Sequence, residues 1–146
     1  MSELLVAVQI AGRRCVLRAH DVQSVIELGE TTPVPGAPDY VVGLTALRSQ
    51  ALTVIDCRRA IGFDPEKCDT DIRAPVVAVN GFSYALIVDL VEDVTQPEGE
   101  PDGVLGGFGA EWARVARGMV ETSSGPALMI DAEKLIEEPI RQRNAA

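Results

Sequence analysis

The chain has 146 residues, 47% of them hydrophobic, which suits one compact unit or two small subdomains that share contacts. Thirteen basic against twenty-two acidic side chains leave a net charge of −9, and a field of that sign repels phosphate backbones and anionic lipid headgroups, which argues against nucleic acid and membrane surfaces as partners. No apolar run approaches the roughly 20 residues of a membrane helix and the amino terminus lacks the basic-then-apolar order of a signal peptide, so a cytoplasmic location is expected.

The predicted elements begin with a β-hairpin. ELLVAVQI (3–10) is rich in β-branched side chains, Gly12 punctuates it, and RRCVLRA continues extended from Arg13. Val22, Val25 and Ile26 follow His20 and Asp21 at helical spacing, whereas SVIELGE (24–30) favours a strand; a brief helical turn leading into a strand satisfies both. Proline lacks an amide donor and restricts its predecessor, so the proline-rich TTPVPGAPDY, Thr31 to Tyr40, crosses between strands as a loop.

VVGLTAL (41–47) and ALTVID (51–56) read as strands around a turn at Arg48 to Gln50, and Asp56 is placed to cap a short helix, CRRAI, that Gly62 ends. FDPEKCDTDIR (63–73) is a charged surface connection. APVVAVN (74–80) and SYALIVDLVEDV (83–94) supply a second hairpin of buried character. PEGEPDGVLGGFG (97–109) spends too many residues on proline and glycine for regular structure and is expected to wrap over the surface. RVARGMVE and PALMI are the last strands, Asp131 caps a closing helix, AEKLIEE, stopped by Pro139, and residues 141–146 form a flexible tail.

The chain also repeats itself. Gly43 to Ile61 lies over Gly118 to Ile136 without a gap, matching Ser49 with Ser124, Ile55 with Ile130 and Asp56 with Asp131, and VAV at 6–8 answers VAV at 77–79. The shared order of hairpin, strand, glycine, strand and aspartate-capped helix points to two similar, interleaved β-subdomains of a single domain over residues 1–140, roughly residues 1–70 and 71–140. Each half offers about five strands, and closing each sheet into a small barrel hides its apolar face and its edges. The expected fold is therefore mainly all-β, with a groove where the barrels meet.

Chemistry is hard to find. His20 is the single histidine, and Cys15, Cys57 and Cys68 are an odd set without the paired spacing of a zinc site or a disulfide framework. The glycines at 103, 106, 107 and 109 lack the lysine and hydroxyl residue that complete a phosphate loop, and the acidic pairs Glu92–Asp93 and Glu137–Glu138 read as solvated surface. No metal and no cofactor is expected, and binding outranks catalysis.

VPGAPDYVVGLTALRSQALTVIDCRRAIG, Val34 to Gly62, strongly resembles the CheW family of chemotaxis coupling proteins in its spaced prolines, valine-glycine strand, leucine-arginine pair and V-I-D helix start. The likeness runs upstream through SVIELGE and downstream through SYALIVDLVEDV, to about Glu137. It implies two SH3-like five-stranded barrels. It also implies a non-catalytic scaffold between chemoreceptor cytoplasmic tips and the regulatory domain of a CheA-type histidine kinase.

The resemblance further implies that Glu27 and Arg48 act together on the receptor-binding side, and an ion pair between them is expected. Val25, Gly43 and Leu47 match positions lining or shaping the same groove, where a helical hairpin lays an apolar face; ordinary barrel core accounts for the two aliphatics about as well. Val88 and Val91 match the second-half strand that completes the groove, and burial inside their own barrel explains them equally well. The chain departs from the family pattern where Ser49 stands for the glycine after the arginine and Ala46 for a frequent asparagine, so the turn carrying Arg48 is expected to differ. Two other readings stay open: a CheW-like regulatory module of a different kinase pathway, and a small β-barrel hydrolase using Cys57 or His20.

Overall fold

The computed structural model describes residues 4–63, 72–98 and 109–136. Cys68, the connection at 64–71, most of the glycine-rich stretch at 99–108, the stop at Pro139 and the tail lie outside the described residues.

Ten strands form two five-stranded sheets. The first hairpin pairs β1 (Leu5–Ile10) with β2 (Arg13–Arg18). A single 3-10 turn, Ala19–Asp21, leads into β3 (Val22–Glu27), as the mixed periodicity there predicts. The proline-rich crossing ends at β4 (Val41–Leu47), which pairs with β5 (Gln50–Asp56) and runs into helix α1 (Cys57–Ile61). Asp56 caps that helix by accepting the Arg58 N–H at 3.0 Å, and Gly62 closes it at a positive φ of 121°. The second hairpin, β6 (Arg73–Val79) with β7 (Phe82–Ile87), is followed by β8 (Leu90–Thr95), so SYALIVDLVEDV is broken at Val88–Asp89 into two strands. Helix α2 (Ala110–Val115) precedes β9 (Ala116–Thr122) and β10 (Gly125–Ile130). Residues 132–136 are helical, and Asp131 accepts the Glu133 and Lys134 N–H groups at 3.0 and 3.3 Å.

The strand orders are β8-β1-β2-β10-β9 and β3-β6-β7-β5-β4. Replacing each strand of the first order by the one five places away in the chain gives the second, so the repeat seen in the sequence is also a repeat of topology. Its halves are nevertheless exchanged. The two sheets are interleaved in the chain, so neither is confined to one side of residue 70: the hairpin β1–β2 joins β8–β10, and the hairpin β6–β7 joins β3–β5. Strand pairing is chosen by long-range packing, and the two VAV hairpins carry nearly the same local pattern, so the sequence order does not settle which sheet each enters.

The central strands of each sheet bury side chains on both faces, whereas the edge strands β3, β4 and β8 keep one side exposed. Leu5, Ala7, Val16, Val120, Ala127 and Met129 fill the first barrel, and Leu52, Val54, Ala74, Val76 and Ala85 fill the second. The opposite faces meet in a larger shared core that includes Val8, Cys15, Leu17, Ile55, Val77, Leu86, Leu128 and Ile130. Double burial is why these strands read as nearly continuous apolar runs. Among the described residues the joint between the barrels is packed, and beside Asp21, Asn80 and Arg117 it carries a small polar cleft of about 130 Å³.

Helix α2 seals one side of the joint, an element the sequence reading missed. Trp112 packs against Phe63 with ring centroids 5.6 Å apart and lies under the Arg13 guanidinium at 5.5 Å. Arg114 donates to the carbonyls of Ala60 and Ile61, satisfying the C-terminal end of α1 with a positive charge where the helix dipole favours one. Asp89 stitches another side: its carboxylate accepts the Gly12 N–H at 2.9 Å and the Arg58 guanidinium at 3.3 Å.

Candidate functional site

The groove lies on the second sheet, where its two edge strands approach but do not fully close. After Glu27 the chain runs past Leu28 to Thr32, and Thr32 exchanges backbone hydrogen bonds with Leu44 at 2.8 and 2.9 Å. Buried Thr45 adds a clasp by donating its hydroxyl to the Glu30 carbonyl at 3.0 Å. Between this strap, β4 and the end of β3 an open groove of about 630 Å³ remains.

Gly43 makes the closure possible. A Cβ at this position would stand 2.2 Å from the Thr32 carbonyl oxygen and 2.9 Å from the Thr31 side chain, so only a residue without one lets the strap lie on β4. This supports a groove-shaping role for Gly43, exerted through the backbone.

The groove walls are apolar with acidic rims. Ile26, Leu44, Ala46, Leu47 and Ala51 supply hydrocarbon, and Glu27 and Glu30 supply the carboxylates. Leu44 is 41% exposed, well above what a buried core position shows. Arg48 stands next to Leu47 at the exposed hairpin tip. A stripe of hydrocarbon bordered by charges of both signs suits an amphipathic protein segment and offers no convergent set of catalytic groups.

Glu27 and Leu47 line the groove, Gly43 shapes it, and Arg48 adjoins it. Val25 is 44% exposed, opposite Pro75 of β6, and stands outside the groove lining. Val88 and Val91, at 1% and 7% exposure, belong to the shared core and offer no side-chain surface to a partner, which corrects the expectation that they complete the groove. The expected ion pair is also absent: among the described residues the Glu27 carboxylate and the Arg48 guanidinium form no ion pair. Glu27 ends an edge strand opposite Arg73 of β6, and Arg48 sits in the turn of the other edge hairpin.

Sequence reasoning missed Leu44, Ala46 and Glu30. In VVGLTAL the exposed positions Val42, Leu44 and Ala46 are apolar while Gly43 and Thr45 between them are buried, so the alternation there points to the opposite face as the surface.

Neither buried thiol is built for nucleophilic work. Cys15 and Cys57 are each 0% exposed. Burial pushes the Cys15 thiol up from its ordinary 9.0 to about 12. Burial and then the neighbouring Asp56 carboxylate hold the Cys57 thiol well above its ordinary value. His20 is largely exposed beside Asp21 at 3.1 Å. Among the described residues no three His, Cys, Asp or Glu side chains gather as a metal site, and no helix is long and apolar enough to cross a membrane.

The counterpart of the groove on the first sheet is a cleft of about 380 Å³ beside Leu4 and Val94, where Pro97 bridges to Thr122. Thr95, Gln96, Glu98 and Ser123 make much of its lining polar.

Residues 4–139 match the family model described as the CheW-like domain. The chain belongs to the CheW family. It is 27% identical over 121 residues to "Chemotaxis protein CheW" of Thermotoga maritima, a match covering 81% of this chain and 77% of that protein. It is 25% identical over 107 residues to the Bacillus subtilis protein of the same name, covering 70% and 69%. The crystal structure of the scaffolding protein TtCheW from Thermoanaerobacter tengcongensis superposes with a TM-score of 0.79 at 24% identity, over 94% of each chain. That likeness establishes the CheW fold of two SH3-like subdomains, and the two exchanged five-stranded sheets are its form in this chain.

Proposed function

We propose that this CheW-family chain is a non-catalytic adaptor that couples chemoreceptor cytoplasmic tips to the regulatory domain of a CheA-type histidine kinase. The observation that carries the reading is the open groove on the second sheet: apolar walls, acidic rims and an exposed arginine at one end, in a chain that belongs to a chemotaxis family. A helical hairpin from a receptor lays its apolar stripe along Leu44, Ala46 and Leu47, while Glu27, Glu30 and Arg48 fix its register through charge. Val25 extends this contact beyond the groove. The kinase domain takes a separate surface, which lets one adaptor hold both partners.

Nothing in this work requires bond making, in keeping with the buried, protonated thiols. The adaptor acts in the cytoplasm and reaches the membrane by recruitment to receptor arrays. Co-sedimentation of the purified chain with a soluble receptor-tip fragment and a kinase regulatory domain tests the proposal. A ternary complex is expected; binding to the kinase domain alone, with no contribution from the receptor fragment, contradicts it.

A further inference from the structure

Three hairpins in this fold turn on two residues that both have positive φ: Ala11–Gly12 (53° and 76°), Asn80–Gly81 (52° and 84°) and Arg48–Ser49 (50° and 70°). Positive φ at both positions is the mark of a type I′ turn, whose twist matches that of the flanking strands. In the first two, glycine takes the second position, and a Cβ there would meet nothing within 4 Å. Those glycines are needed for backbone conformation and not for space. The third turn has neither glycine nor asparagine, and both its residues carry side chains that disfavour the left-handed region.

The flanking strands hold that strain in place. Leu47 faces Gln50 across the hairpin, and Leu52 and Val54 are 1% and 0% exposed inside the barrel. The Gln50 side chain donates to the Ser83 hydroxyl at 3.1 Å, which donates to Gln23 at 3.2 Å. With the strands pinned, the exposed tip is the part of the hairpin that yields.

We infer that Ser49 is a positioning residue for Arg48. The turn exchanges between the I′ geometry and a relaxed one in which Ser49 returns to negative φ. Arg48 therefore stands at the groove rim for only a fraction of the time, and apparent affinity falls by that fraction. The consequence for binding rests on the groove's being the receptor site; the exchange itself does not.

The test has two arms, both on the full chain. Backbone relaxation dispersion is measured at residues 48–50 in the wild type, Ser49→Gly and Ser49→Ala. Exchange is expected in the wild type and in Ser49→Ala, which removes the hydroxyl but keeps the backbone penalty, and is expected to vanish in Ser49→Gly. Identical dispersion in wild type and Ser49→Gly overturns the inference. In the second arm a soluble receptor-tip fragment is titrated by calorimetry. Ser49→Gly binds about threefold or more tightly than wild type, Ser49→Ala shows no such gain, and Arg48→Ala binds more weakly. If Arg48→Ala weakens binding and Ser49→Gly does not tighten it, the positioning role is wrong. If Arg48→Ala leaves affinity unchanged, the groove reading fails, and the dispersion contrast alone decides the turn.

Discussion

Gly43 and Thr32 are in backbone contact so close that a single methyl group on residue 43 would reach 2.2 Å from the Thr32 carbonyl oxygen. The strap over β4, the paired bonds between Thr32 and Leu44 and the groove beside them depend on that approach. Gly43→Ala forces the strap away, because the obstructing atom is backbone and cannot rotate aside. The expected loss is about 2–3 kcal/mol of unfolding free energy, of the size seen for overpacking plus broken hydrogen bonds. Urea denaturation measures it. A loss below roughly 0.5 kcal/mol would mean that the strap repacks freely.

Glu27 and Arg48 carry separate charges beside the groove, since among the described residues no ion pair links them. Arg48→Glu is expected to weaken receptor-tip binding by at least about fivefold, roughly 1 kcal/mol, with thermal unfolding nearly unchanged. Adding Glu27→Arg does not restore affinity, and the two effects on stability add within about 0.5 kcal/mol. A double-mutant cycle by calorimetry checks both statements. Recovery in the double variant would mean that the pair forms when the partner binds.

Much of this fold is legible in the sequence wherever one residue dictates local geometry. Asp56 and Asp131 cap helices as their positions before CRRAI and AEKLI foretell, and the Gly12 and Gly81 punctuation marks real hairpin turns. Elements without such a signal escaped. Helix α2 is preceded by Gly109, which offers no side-chain cap, and follows a stretch whose composition argues against regular structure. The exchange of hairpins between sheets is a long-range choice between two nearly identical local patterns. Of the residues that the resemblance named, Glu27 and Leu47 line the groove, Gly43 shapes it and Arg48 adjoins it, whereas Val88 and Val91 are core, where an apolar side chain reads the same in sequence whether it faces a partner or the interior.

The buried thiols make stability fall at alkaline pH. The Cys15 pKa is raised in the folded state, from 9.0 to about 12, so its stabilising contribution is complete below the unfolded pKa and is lost as pH rises toward the folded one. Between about pH 9 and 12 the unfolded chain releases a proton that the folded Cys15 keeps, so stability declines through that window. Cys57, raised in the same direction, adds to the slope. Urea melts at pH 8 and pH 10 are expected to show the decline, and Cys15→Ala to reduce it. Native-state alkylation of Cys15 and Cys57 is expected to be slow until the chain unfolds.

The proposed function requires the groove on the second sheet to grip a protein partner. Backbone chemical-shift mapping of the full chain during titration with a soluble receptor-tip fragment tests it most directly. The largest saturable shifts are expected at Glu27, Glu30, Leu44 to Leu47 and Arg48, with the polar cleft near Leu4 and Ser123 unaffected. Saturable binding that leaves the groove residues silent and moves another face of either sheet would contradict it.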